Sequence, residues 1–195
     1  MKVTINSVEI KALSHFVNPK ETREFLQGVT VIVDGQQVSL FASTGTVIGF
    51  FRCPCHPDNA GNADKCRVLI PYAIAKGLKN PCITLEVLED IATLQDGNIT
   101  AEVINIDKKF PHFPDFRRVW PRPEAVSGEL AQYNLELIGL FAKCLKEFHG
   151  RKSVVQPYIH FNGDGPAPVD IVVDGFSGLI MPYRVQAKTY TYPFN

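Results

Sequence analysis

The chain has 195 residues, 45% hydrophobic and 21% charged, and its 20 Lys and Arg are balanced by 20 Asp and Glu. That is enough apolar sequence to bury a core and too little charge excess for a disordered basic arm or acidic tail, although a neutral sum leaves DNA binding open, since charge placement decides it. No apolar signal-peptide region opens the chain and no apolar run approaches a membrane span, so a soluble cytoplasmic protein with no membrane partner is expected.

Lys2 to Ile5 reads as a short strand, followed by a helix from Ser7 to Val17. Asn6 is its candidate N-cap, with Glu9 as capping-box partner, and Pro19 bars its extension. Ile10, Leu13, Phe16 and Val17 share its apolar face. Val29, Val31 and Val33 then alternate as a strand, and an Asp34-Gly35 turn leads to Val38 and Leu40.

A second strand–helix pair follows, Arg67 to Ile70 and then Pro71 to Leu78, with proline in the first helical turn. Strands at Ile83 to Val87, Ile91 to Leu94 and Ile99 to Ile104 come after it, with an Asp96-Gly97 turn between the last two. A third set comprises a strand at Glu129 to Gln132, a helix from Leu135 to Phe148 capped by Asn134 and stopped by Gly150, and strands within Val155 to Phe161, Val169 to Val173 and Leu179 to Met181. The helices begin near 6, 71 and 134, at intervals of about 64 residues, which marks three copies of one β-α-β-β-β unit. Period-2 strands joined by tight turns imply antiparallel sheet with helices on one side, an α+β fold.

Local sequence is similar to a known family, the bacterial DNA sliding clamp, the beta subunit of DNA polymerase III. Glu21 to Val29 and Leu40 to Gly45 resemble its second domain. Lys109 to Pro121 resembles its F-P-D-Y-R-R-V-x-P linker, and Leu179 to Val185 its V-V-M-P-M-R-L terminus. The resemblance implies the DNA clamp fold. Residues 1–121 would be a complete domain of two units, and residues 122–195 a half domain of one unit with an aromatic tail from Gln186. The family's first domain has no match. A family ring holds twelve units, so three per chain imply a homo-oligomer, a tetramer or a dimer that pairs the odd units.

The resemblance also implies a non-enzymatic processivity factor that holds double-stranded DNA without sequence preference and needs no cofactor. Lys11, Lys76, Lys79, Lys143 and Lys146 lie on the predicted helices, with Lys20 and Lys152 in adjoining loops, as DNA-facing residues. The alternative reading of those lysines is a solvated helix surface. Partners, DNA polymerase or other proteins carrying clamp-binding peptides, would use an apolar cleft of Leu26, Gly45, Ile48, Pro114, Val119, Leu179, Met181, Pro182, Tyr183 and Arg184. The family's D-G-H-R is Thr44-Gly45-Thr46-Val47 here, which implies either a different peptide preference or loss of peptide binding. A second functional reading is a peptide-binding interaction module that forms no ring and competes for clamp partners.

Five cysteines do not form a disulfide framework, and Cys82 and Cys144 fall in core patterns. Cys53, Cys55, His56 and Cys66 are candidate zinc ligands, at a spacing unlike a standard finger. A zinc-dependent or thiol enzyme on the clamp scaffold is a third reading, but no Walker A, G-x-S-x-G or H-E-x-x-H motif supports one. Asp115, Arg117 and Arg118 read as an ion-pair cluster holding the linker.

Overall fold

The computed structural model describes residues 1–62, 64–150 and 156–183. The elements run β1 (Lys2–Asn6), α1 (Ser7–Ser14), β2 (Gly28–Asp34), β3 (Gln37–Ser43), β4 (Val47–Arg52), β5 (Lys65–Pro71), α2 (Tyr72–Gly77), β6 (Cys82–Leu88), β7 (Ile91–Asp96), β8 (Ile99–Asn105), α3 (Ile106–Lys109), α4 (Leu135–His149), β9 (Tyr158–Ile159), β10 (Ala167–Asp170) and β11 (Phe176–Ile180). The strands form one sheet in the order β1-β6-β7-β8-β5-β2-β3-β4-β11-β10-β9. Every pairing is antiparallel, as the tight turns require. The fold is therefore the expected α+β type.

The first two units, β1-α1-β2-β3-β4 and β5-α2-β6-β7-β8, cover each other by exchange. β1 pairs with β6 and β5 with β2. The registers match: Asn6, the last residue before α1, faces Cys82 at the start of β6, and Pro71, the last before α2, faces Gly28 at the start of β2. This reciprocity makes the pair two-fold in kind.

The third unit, α4-β9-β10-β11, docks on the first. β11 adds to the edge of β4, with Phe176 opposite Phe51 and Ile180 opposite Val47. α4 lies against α1. To get there the chain crosses the outward side of β3 and β4, where Phe116 stacks on Phe41 at 4.1 Å between ring centroids and Trp120 meets Phe50 edge-on at 6.3 Å.

The core lies between sheet and helices. Val29, Val31 and Val33 of β2 and Val38, Leu40 and Ala42 of β3 turn inward beneath Ile10, Leu13 and Phe16, all buried. Burying each larger side chain contributes about 1.5–3 kcal/mol. Phe16, Phe141 and Phe176 form an aromatic triad at the junction of units one and three, with centroids 5.0 to 6.2 Å apart.

Several expectations need correction. Glu129 to Gln132 is not a strand. A ladder needs a neighbour, and the third unit has no counterpart unit among the described residues to supply one. Gly128 N–H donates instead to the Phe161 carbonyl, and Gly163 N–H to that of Glu129. α1 ends at Ser14 rather than Val17, because His15, Phe16 and Val17 donate three residues back in a tighter turn. The Asn6 side chain does not cap α1 and donates to Glu9 Oε1 at 3.0 Å. Asn134 does cap α4, accepting from Glu136 N–H at 2.8 Å. Cys82 is exposed at the β6 start, not in the core, while Cys144 is buried. No helix among the described residues is long and apolar enough to cross a membrane.

Candidate nucleic-acid and peptide interfaces

α1 touches α2 on one flank and α4 on the other, so the three longer helices form a layer on one side of the sheet. Lys76 on α2 and Lys143 and Lys146 on α4 are exposed, and Lys11 on α1 is half-buried. Lys20 is exposed in the loop after α1, its N–H held by Asn18 Oδ1 at 3.0 Å. Lys79 is exposed but lies past the end of α2, so it does not share a helical face with Lys76. Asp96 shapes this turn, accepting from Lys79 N–H at 2.8 Å and from Asn80 N–H and Nδ2 at 2.9 and 2.7 Å. Burial raises the Asp96 pKa, but these hydrogen bonds outweigh it and hold the carboxyl below its usual range.

The lysines that form ion pairs among the described residues are Lys65, Lys108 and Lys109, all outside the helix layer. Lys11, Lys20, Lys76, Lys79, Lys143 and Lys146 form no salt bridge there, although Lys11 is near enough to Asp96 to help hold its carboxyl down. Glu147 of α4 is engaged at 3.1 Å by His15, the residue that follows α1. Lys152 lies outside the described residues.

The β4–β11 seam gathers much of the predicted peptide cleft. Ile48 faces Leu179 in the ladder, and Met181 N–H donates to Thr46 O at 2.8 Å. Gly45, Met181 and Tyr183 are exposed, Pro182 is half-buried, and Leu179 is buried. Gly45 has φ +92°, and a Cβ there would run into the Arg23 guanidinium. Arg23 Nε donates to Glu21 Oε1 at 2.9 Å, and this bond lowers the Glu21 carboxyl to about 2. Leu26 is buried in the turn after Arg23, and Pro114 and Val119 are exposed on the linker. Arg184 lies outside the described residues.

The expected cleft set leaves out Arg23, Glu21, Phe41, Phe50, Phe116 and Trp120, although all but Phe50 lie in the segments that resemble the family. The available signal was Phe41 and Phe50 at outward positions of strands whose inward positions are already apolar.

A cavity of about 530 Å³ opens on the other side of the linker, lined by Phe50, Phe113, Pro114 and Phe116 and by Arg52, Arg67 and Asp107. Of the described cleft residues only Pro114 lines it. Arg67 is paired with Asp107 at 2.6 Å. Asp115 accepts from Arg117 Nε at 2.8 Å and lies 3.8 Å from Arg118 Nε, the cluster expected on the linker.

The zinc candidates are not brought together. Cys53 is buried beside Glu9, and burial, followed by that carboxylate, pushes its thiol far up. Cys66 packs at 3.4 Å from the Met1 sulfur. Cys55 is exposed, and His56 Nδ1 accepts from Asp58 N–H at 3.3 Å to cap a helical turn. No group of three or more His, Cys, Asp or Glu suited to a metal occurs among the described residues.

No family model and no curated protein matches the sequence. Solved structures do match the fold. The DNA polymerase III beta subunit of Thermotoga maritima superposes with a TM-score of 0.66 at 11% identity, over 97% of this chain and 66% of its own. The beta subunit of Pseudomonas aeruginosa gives 0.63 at 15% identity, and the sliding clamp of Bartonella birtlesii 0.66 at 13%, each over 97% of this chain and 67% of its own. The chain thus spans about two thirds of the length of the clamps it matches. Two β-α-β-β-β units and a third, α-β-β-β, on one antiparallel sheet, superposed on these proteins nearly end to end, give the chain the fold of the bacterial DNA sliding clamp.

Proposed function

We propose that the protein is a clamp-like DNA processivity factor, acting in the cytoplasm by holding duplex DNA and tethering partner proteins rather than by catalysing a reaction. The observation that carries this reading is the helix layer. α2, α1 and α4 stand side by side on one continuous sheet, and their lysines form no salt bridge among the described residues. Such a surface attracts phosphates without reading bases, as a sliding contact requires. Residues 1–121 act as a complete domain and residues 122–195 as a half domain. The test compares retention on nicked circular DNA with retention on linear DNA of equal length. Encirclement predicts slow loss from the circle and rapid loss from free ends. Equal loss from both overturns it.

A second reading has its own support. Ile48 faces Leu179, and Met181 N–H reaches Thr46 beside Gly45, at a seam inside one chain, so peptide capture there would need no ring. Under this reading the protein is a peptide-binding module competing for clamp partners. A chain that binds a clamp-binding peptide but ignores DNA supports the module over the processivity factor.

A further inference from the structure

The third unit is covered on one side only. β11 and α4 face unit one, but the opposite side is open. There, Tyr158 on the edge strand β9 is 66% exposed, and Leu130 and Leu135 are each 81% exposed. Leu135, Ile138 and Ala142, at i, i+3 and i+7, share the flank of α4 turned away from the Glu147–His15 contact with α1.

Units one and two show how that side of a unit is covered in this protein. Each lays the strand ahead of its helix along the first strand after the other's helix, in matching register, and α1 and α2 touch. What each unit gives is what it receives. An open unit of this kind is completed by another that makes the same offer, and the unit left open is the third, which every copy of the chain carries.

We propose that two copies of the chain join through their third units about a two-fold axis. Residues 130–134 of each copy run antiparallel along the partner's β9. The two α4 helices lie side by side through Leu135, Ile138 and Ala142. Gly128 and Glu129, which bond to Phe161 and Gly163 within the single chain, exchange those bonds for the same ones in the partner. The small side chains of Gly139 and Ala142 permit close approach of the helices. The pairing hides an open sheet edge and an apolar flank together, the two features that a lone unit leaves to water. This deepens the clamp reading and rests on it, since the repeated unit supplies the template.

Sedimentation equilibrium of the full chain at micromolar concentration tests the pairing, alongside Leu135→Glu and Ala142→Glu. Leu135 is exposed in the single chain, so its replacement leaves folding intact, and circular dichroism verifies this for both variants. The expected result is a dimer, or a multiple of dimers, for the parent chain and half that mass for each variant. A monomeric parent, or variants that keep the parent's mass, overturns the pairing. The DNA-retention assay is read separately. A dimer that shows no preference for circles sinks the clamp reading and leaves the pairing standing, and a monomer retained longer on circles than on linear DNA sinks the pairing and leaves the clamp reading standing.

Discussion

Gly49 and Gly178 face each other across the β4–β11 ladder, and each lies beneath a phenylalanine, Phe16 of the first unit and Phe141 of the third. The two rings meet edge-on at 5.0 Å between centroids. The paired glycines let both helices sink onto the sheet where the third unit joins the first. A Cβ at Gly178 would strike the Phe141 ring and the Val169 carbonyl. Gly178→Ala is expected to cost about 1–3 kcal/mol by overpacking. Chemical denaturation monitored by tyrosine and tryptophan fluorescence measures it, and an unchanged midpoint would show that the seam is loose.

Asp96 offers a pH-dependent test. Its folded carboxyl is depressed by hydrogen bonds from Asn80 and from the Lys79 and Asn80 backbone, which prevail over the effect of burial. The stability it contributes is therefore present above the unfolded carboxylate value of about 4 and lost as pH falls through the folded value. Asp96→Asn, which puts donors where acceptors are needed, should cost about 2 kcal/mol at neutral pH. The melting gap between parent and variant should narrow in acid, and a gap that widens contradicts this account.

Charge reversal on α4 addresses the DNA surface. Under the proposed function, Lys143→Glu with Lys146→Glu weakens binding of every duplex sequence alike. Each phosphate that is no longer neutralised flattens the slope of log affinity against log salt by about 0.9. Fluorescence anisotropy over a salt series reads both effects. An unaltered slope would assign these lysines to an ordinary solvated helix surface.

The seam between β4 and β11 should hold peptide through Met181. Truncation by Met181→Ala is expected to lower affinity for a clamp-binding peptide about tenfold, equivalent to ~1.4 kcal/mol. Gly45→Ala, at φ +92° beneath Arg23, should impair binding through local rearrangement. Isothermal titration with the folded variants decides it, with equal affinity counting against the site.

Thiol reactivity should divide the five cysteines. Cys55 and Cys82 are exposed and should react at once with a disulfide reagent at mild alkaline pH. Cys66, pushed up to about 11 chiefly by burial, should lag. Burial, followed by Glu147, pushes the buried Cys144 thiol far up, and Cys53 is similarly raised, so both should wait for unfolding. Kinetic traces with and without denaturant test the order. Prompt release of more than three thiols from the native chain would contradict the burial of Cys53 and Cys144.

The features legible along the chain are local ones. Alternating Val29, Val31 and Val33, the Asp34-Gly35 and Asp96-Gly97 turns, the Asn134 cap and the Gly150 stop each act within a few residues, so strand, turn and helix could be read where they stand. The threefold spacing could be read for the same reason. Alternation says which side chains point inward, but it does not say which strand lies alongside. Folding in three dimensions set β1 against β6, added β11 to β4 and so placed Leu179 beside Ile48, and turned Cys53 and Cys66 to different neighbours. Glu129 to Gln132 shows the limit most plainly. Its pattern suits a strand, yet a strand exists only where a neighbour supplies hydrogen bonds, and that neighbour is a matter of the whole fold.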